Sequence, residues 1–90
     1  MIKFVNEDCG TAWDEHNQNP LKLNSHGKFT DTSQFRWAYL TVNDGCIVET
    51  CENKGGIGYS DIWFDNYNRH WIGWYWQNDV KSYKCCCNCD

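Results

Sequence analysis

The placement of cysteine constrains this chain more than any other feature. Four of its seven cysteines, Cys85, Cys86, Cys87 and Cys89, fall in the last six residues, and the other three are Cys9, Cys46 and Cys51. Oxidised, the tail is a staple that ties the C-terminus to the body of a secreted domain; reduced, it is a soft-metal ligand set inside a cell. Ninety residues form a single domain, here 1–90, whose small core gains much from either kind of closure.

Strand geometry narrows the pairing. In an extended segment neighbouring side chains point to opposite faces, so Cys85, Cys87 and Cys89 share one face and Cys86 takes the other. Cys46 and Cys51 sit on one predicted strand, about 17 Å apart, far beyond the reach of a disulfide. Each body cysteine then needs a tail partner, which predicts six of the seven cysteines paired, in a connectivity the sequence leaves open, and one leftover sulfur. That leftover thiol predicts a monomer or a disulfide-linked dimer. The minority reading places zinc or copper on the C-terminal cysteines. The steps Cys85 to Cys87 and Cys87 to Cys89 offer thiolates to Cu(I) or Zn(II), with Cys46 and Cys51 as a distant second pair.

Alternation is clearest from Phe35 to Val42, where Phe35, Trp37, Tyr39 and Thr41 share a face opposite Ala38, Leu40 and Val42. Asn43-Asp44-Gly45 then predicts a hairpin into Cys46–Cys51 through a type I turn with a G1 bulge. Asn53-Lys54-Gly55-Gly56 predicts the next turn, and Ile57–Phe64 and Trp71–Trp76 form a second hairpin across the polar loop 65–69. Val80–Cys87 closes the fold and Ile2–Val5 opens it, while residues 14–34 read as a long loop with a short strand near Leu21–Leu23. No window carries a helical apolar period, and helix formers are scarce. The expectation is an all-β domain, a small antiparallel sandwich or barrel of six to seven short strands, stapled at its C-terminus.

Charge removes several function classes. Eight Lys+Arg against twelve Asp+Glu give a net charge of −4 with no basic stripe, which argues against nucleic acid and anionic lipid. The longest uncharged apolar stretch, 71–78, is too short to span a bilayer. Residues 1–20 lack the apolar run of a signal peptide, so Met1 either begins an intracellular chain or stands where a leader has been removed. The cysteine chemistry favours the second, and with it an extracellular location.

Six Trp, five Tyr and four Phe are the other surplus. Trp63, Phe64, Tyr67, Trp71, Trp74, Tyr75 and Trp76 lie within fourteen residues, too many rings for both faces of one hairpin to be buried in a domain of this size. Rings left exposed on a sheet and rimmed by Asn and Asp suit stacking on sugars, with Trp63, Trp71, Trp74, Trp76, Tyr75, Asn66 and Asn68 as candidate ligand-binding residues. The bland alternative is that each ring fills a core poor in Leu.

Catalysis finds little footing. Cys9-Gly10-Thr11-Ala12-Trp13 superficially resembles the nucleophile segment of papain-like proteases, but Ala12 stands at the nucleophile's position and the chain is far too short. His16 and His26 belong to a polar loop, and nothing fixes them or His70 beside Glu49, Glu52 or Asp61 as an acid–base pair. Asp61, Asp65, Asn66 and Asn68 lack the spacing of a calcium loop. The sequence therefore predicts a non-enzymatic, disulfide-rich secreted module that binds carbohydrate. The alternatives are a secreted toxin or effector that engages a cell-surface receptor or membrane, and an intracellular thiolate metal protein.

Overall fold

The computed structural model describes residues 7–25, 28–32, 36–64, 68–72 and 80–88. Among these described residues eight strands build two four-stranded antiparallel sheets, and no α-helix is present. The strands are β1 (Glu7–Trp13), β2 (Leu21–Ser25), β3 (Thr30–Asp31), β4 (Tyr39–Val42), β5 (Cys46–Asn53), β6 (Ile57–Phe64), β7 (His70–Trp71) and β8 (Ser82–Cys87). One sheet runs β2-β1-β4-β7 and the other β3-β8-β5-β6. The predicted all-β class holds. β1 and β3 have no counterpart among the expected strands, β3 because a two-residue pairing is too short to leave an alternation signal, whereas β7 falls at the start of the expected strand Trp71–Trp76.

Apolar side chains from both sheets meet between them. Ala12, Leu23, Leu40 and Val42 come from the first sheet, and Val48, Tyr83, Cys46 and Cys85 from the second. Trp37, just ahead of β4, is fully buried and packs its ring 5.7 Å from that of Tyr83 on β8. Each fully buried aliphatic or aromatic side chain of this kind contributes about 1.5–3 kcal/mol relative to leaving it exposed.

Two expected hairpins are replaced by sheet-to-sheet crossings. The turn at Asn43-Asp44-Gly45 forms, with the Cys46 N–H donating to the Asn43 carbonyl at 3.1 Å and Gly45 at φ 77°. It does not join paired strands, however: β4 pairs with β1 and β7, whereas β5 pairs with β6 and β8. A tight turn fixes a local reversal only, and here Asn43 stays with β1, its N–H on the Cys9 carbonyl and its side-chain amide on the Asp8 carbonyl, while Cys46 leaves for β8. Likewise β7 pairs with β4 and not with β6, so Ile57–Phe64 and His70–Trp71 belong to different sheets. The hairpin across Asn53–Gly56 does form between β5 and β6 through a 3-10 turn at Lys54–Gly56.

The described residues of the segment 14–34 hold the expected strand near Leu21–Leu23 as part of a longer one, β2, and a second strand besides, β3. Strand β2 folds back on β1 in register from Ala12 opposite Leu21. Asp14 organises that reversal. One carboxylate oxygen accepts from the N–H groups of His16 (3.0 Å) and Gln18 (2.8 Å), and the other from the Asn19 side chain (2.7 Å). These bonds, the Gln18 N–H foremost, hold the Asp14 carboxyl below its ordinary pKa against the opposing effect of desolvation. The expected strand Ile2–Val5 lies outside the described residues.

Candidate functional site

The C-terminal strand behaves as its alternation requires. Cys85 and Cys87 take one face of β8, and both are bridged: Cys85 to Cys9 on β1, with Cα atoms 6.3 Å apart, and Cys87 to Cys46 on β5, with Cα atoms 3.9 Å apart. The first bridge ties the two sheets together, and the second joins two strands already paired, since Cys46 and Cys87 stand directly opposite each other. Cys86 also takes part in a disulfide, and Cys89 lies outside the described residues. Disulfides of this kind persist in oxidising compartments.

Cys51 corrects the expectation that every body cysteine finds a tail partner. It is a free thiol, buried on β5 opposite Ser82 of β8. Burial pushes its pKa up and the nearby Glu49 charge pushes it further, outweighing a hydrogen bond with Ser82. The thiol is therefore neutral and enclosed, a poor candidate for linking two chains. Maleimide treatment followed by peptide mapping is expected to leave Cys51 unmodified in the native protein and to modify it fully in guanidinium. Rapid labelling of Cys51 under native conditions would refute this placement.

The aromatic candidates divide. Trp71 is 45 % exposed at the edge of the first sheet. Trp63 instead packs against the core from β6, its indole N–H donating to Thr50 Oγ1 at 3.0 Å, so its ring serves the second sheet. The two are not brought to one surface by the pairing of their strands. Asn68 is exposed, whereas Asn66, Trp74, Tyr75 and Trp76 lie outside the described residues, as do Tyr67 and Asp65.

Trp71 has other ring neighbours, from strands the sequence did not group with it. Trp13 of β1 stands opposite Tyr39 of β4, and Tyr39 stands opposite Trp71 of β7. Cross-strand partners share a face, so the three rings form a row on the outer side of the first sheet, away from the buried Ala12, Leu40 and Ile72. Tyr39 and Trp71 meet edge to face with centroids 5.2 Å apart. The Arg69 guanidinium lies 4.0 Å over the Trp13 ring, and the Arg69 N–H donates to Thr41 Oγ1 at 2.7 Å. Arg69 adopts φ 51°, a left-handed turn geometry that brings the chain into β7. Trp13 carried no sequence signal, because β1 was not recognised as a strand and its partner Tyr39 on β4 lies 26 residues further on (39 − 13), beyond any local pattern.

The remaining polar candidates stay apart. His16 and His70 are exposed, Asp61 is half-buried, and His26 lies outside the described residues. Among the described residues, the side chains with metal-ligand atoms drawn close together are Cys9, Cys46 and Cys87, whose Sγ atoms lie within 4.8 Å of one another. No described helix is long and apolar enough to cross a membrane. No protein-family model, curated protein or solved structure matches this chain.

Proposed function

We propose that this protein is a small secreted, disulfide-stapled module that binds carbohydrate on the outer face of its first sheet. The observation that carries the reading is the row Trp13, Tyr39, Trp71, open at Trp71 and flanked by the Arg69 guanidinium. Sugars present apolar C–H faces and a rim of hydroxyls, so they are recognised by exposed rings beside fixed donors and acceptors. Here Trp71 is the stacking surface. Arg69, held over Trp13, and the exposed Asn68 supply donors at its margin, and a guanidinium can pair bidentately with a sugar carboxylate. The row rests on paired strands, which fixes ring spacing before any ligand arrives.

On this reading Trp71→Ala lowers affinity for a glycan found by array screening about tenfold or more, the scale of losing one stacking partner worth roughly 1–3 kcal/mol in the analogous base–aromatic case. Circular dichroism and thermal midpoint stay close to the parent, because Trp71 sits at a sheet edge. Unchanged glycan affinity with the fold intact would overturn the assignment of this face.

One observation favours the second reading, a secreted effector that engages a protein receptor or a membrane. Strand β6 exposes Ile57, Tyr59, Ile62 and Phe64, at 65 %, 71 %, 52 % and 56 %. Apolar exposure of this extent on one strand marks an interaction surface more often than a solvent face. Binding to cells that survives Trp71→Ala and is lost with Ile62→Asp and Phe64→Asp would assign the activity to β6 instead.

A further inference from the structure

We infer that the sulfur knot joining β1, β5 and β8 is a latent metal site: when its two disulfides are reduced, Cys9, Cys46, Cys85 and Cys87 bind one Zn(II) or a similarly soft cation. The ligand set differs from the one suggested by the sequence, the tail steps with Cys46 and Cys51 as a second pair, because it takes in Cys9 and leaves Cys51 out.

Three features of the fold carry the inference. The Sγ atoms of Cys9, Cys46 and Cys87 already lie within 4.8 Å of one another, and the Cys85 sulfur is bonded to that of Cys9. A tetrahedral zinc with bonds of about 2.3 Å to thiolate sulfur spaces its ligands by roughly 3.8 Å, so the sulfurs need side-chain rotation and little backbone movement to reach that geometry. The strands that carry them are otherwise fixed: β5 and β8 stay paired in register from Cys46–Cys87 to Cys51–Ser82, and β1 is held between β2 and β4. Finally, Cys9, Cys46 and Cys85 are buried while Cys87 is half-exposed, which encloses the ion and leaves a way in past one ligand. Cys86, on the opposite face of β8, and the free thiol Cys51 are outside the set.

The chemistry balances with an external dithiol or phosphine as reductant. Each disulfide accepts two electrons and two protons and becomes two thiols, while a dithiol closes to its own disulfide or a phosphine is converted to its oxide with oxygen from water. Zn(II) then displaces the four thiol protons as four Zn–S bonds form, so binding strengthens as pH rises. The same four side chains thus close the fold in two ways, by covalent bridges under oxidising conditions and by metal under reducing ones.

The test uses the full chain, reduced with a phosphine in the absence of oxygen and titrated with Co(II) as a spectroscopic stand-in for Zn(II). Stoichiometric Co(II) uptake is expected, with thiolate charge-transfer and tetrahedral d–d absorption, displacement by Zn(II), and return of native-like circular dichroism if reduction has loosened the fold. Cys9→Ser and Cys46→Ser should each weaken uptake at least tenfold, whereas Cys86→Ser and Cys51→Ser should leave it unchanged. Cys87→His, which cannot form the Cys46 bridge, should still bind with weaker charge-transfer absorption, separating metal ligation from disulfide formation. The inference is overturned if reduced protein takes up no Co(II), if Cys9→Ser and Cys46→Ser bind as the parent does, or if Cys86→Ser abolishes binding.

Discussion

Replacing both partners of the inter-sheet bridge, Cys9→Ala with Cys85→Ala, is expected to remove about 4 kcal/mol of stability in the chain-entropy account, because the bridge closes a loop with a sequence separation of 76. The loss is large against the 5–15 kcal/mol that stabilises an ordinary domain, and a small two-sheet core sits at the low end of that range. At roughly 4–8 °C per kcal/mol for a domain of this size, the thermal midpoint should fall by about 16–32 °C. Replacing Cys46 and Cys87 opens a loop with the shorter separation of 41, so the entropic loss is smaller by about half a kcal/mol. The two variants differ more in where the protein loosens. Cys46 and Cys87 lie on strands that remain paired, whereas Cys9 and Cys85 join sheets that otherwise meet through side chains. Hydrogen exchange should therefore accelerate along β1 and β2 in the first variant and stay local to the β5–β8 ends in the second. Equal thermal midpoints for the parent and the first variant, by calorimetry, would show that the bridge does not limit stability.

How far the sequence reached is clear from particular residues. Ile57–Phe64 was legible to the residue, since turn glycines precede it and Ile57, Tyr59, Ile62, Trp63 and Phe64 are strand formers. The alternation of Cys85, Cys86 and Cys87 was legible as well, because an uninterrupted strand obeys a two-residue period. Which strand each one pairs with was not. Trp37 shows the limit of the period itself: it shares parity with Tyr39 and Thr41 but turns into the core, because the alternation reaches back only to Ala38, whose backbone still bonds Trp13 and Ile72, and Trp37 lies beyond it. The pairing of β4 with β1 and β7 depends on contacts between segments far apart in the chain, and the Asn43–Gly45 turn carries the same residues whether it closes a hairpin or crosses between layers. For the same reason the sequence placed Trp71 in a binding face yet paired it with Trp63, whose strand lies in the other sheet, and passed over Trp13 and Tyr39.

Gly10→Ala is expected to cost about 3 kcal/mol, near the upper range for overpacking, and to lower the yield of the Cys9–Cys85 bridge on oxidative refolding. Gly10 is buried in β1, and a Cβ there would fall on the Thr41 carbonyl oxygen of the neighbouring β4 backbone, which no side-chain rotation relieves. The position also controls register. Cys9 and Ala12 are both fully buried although three residues apart, a spacing that puts them on opposite faces of a regular strand. The irregularity in the β1–β2 pairing between Asp8 and Gly10 restores the match by shifting the pleat one residue, so that Cys9 turns inward to Cys85 while Thr11 and Trp13 stay outward. Alanine at position 10 pushes β4 away and removes the close approach on which that shift depends. Gly55→Ala is the control: φ 72° imposes left-handed strain of about 1 kcal/mol, but no atom lies within 4 Å of its added methyl. A Gly10→Ala protein that oxidises as efficiently as the Gly55→Ala protein, with the same urea midpoint, would refute the close approach of β1 to β4. The expected result links both halves of the molecule to one small residue: with β1 displaced, the staple loses its inward sulfur and Trp13 leaves its place beside Tyr39.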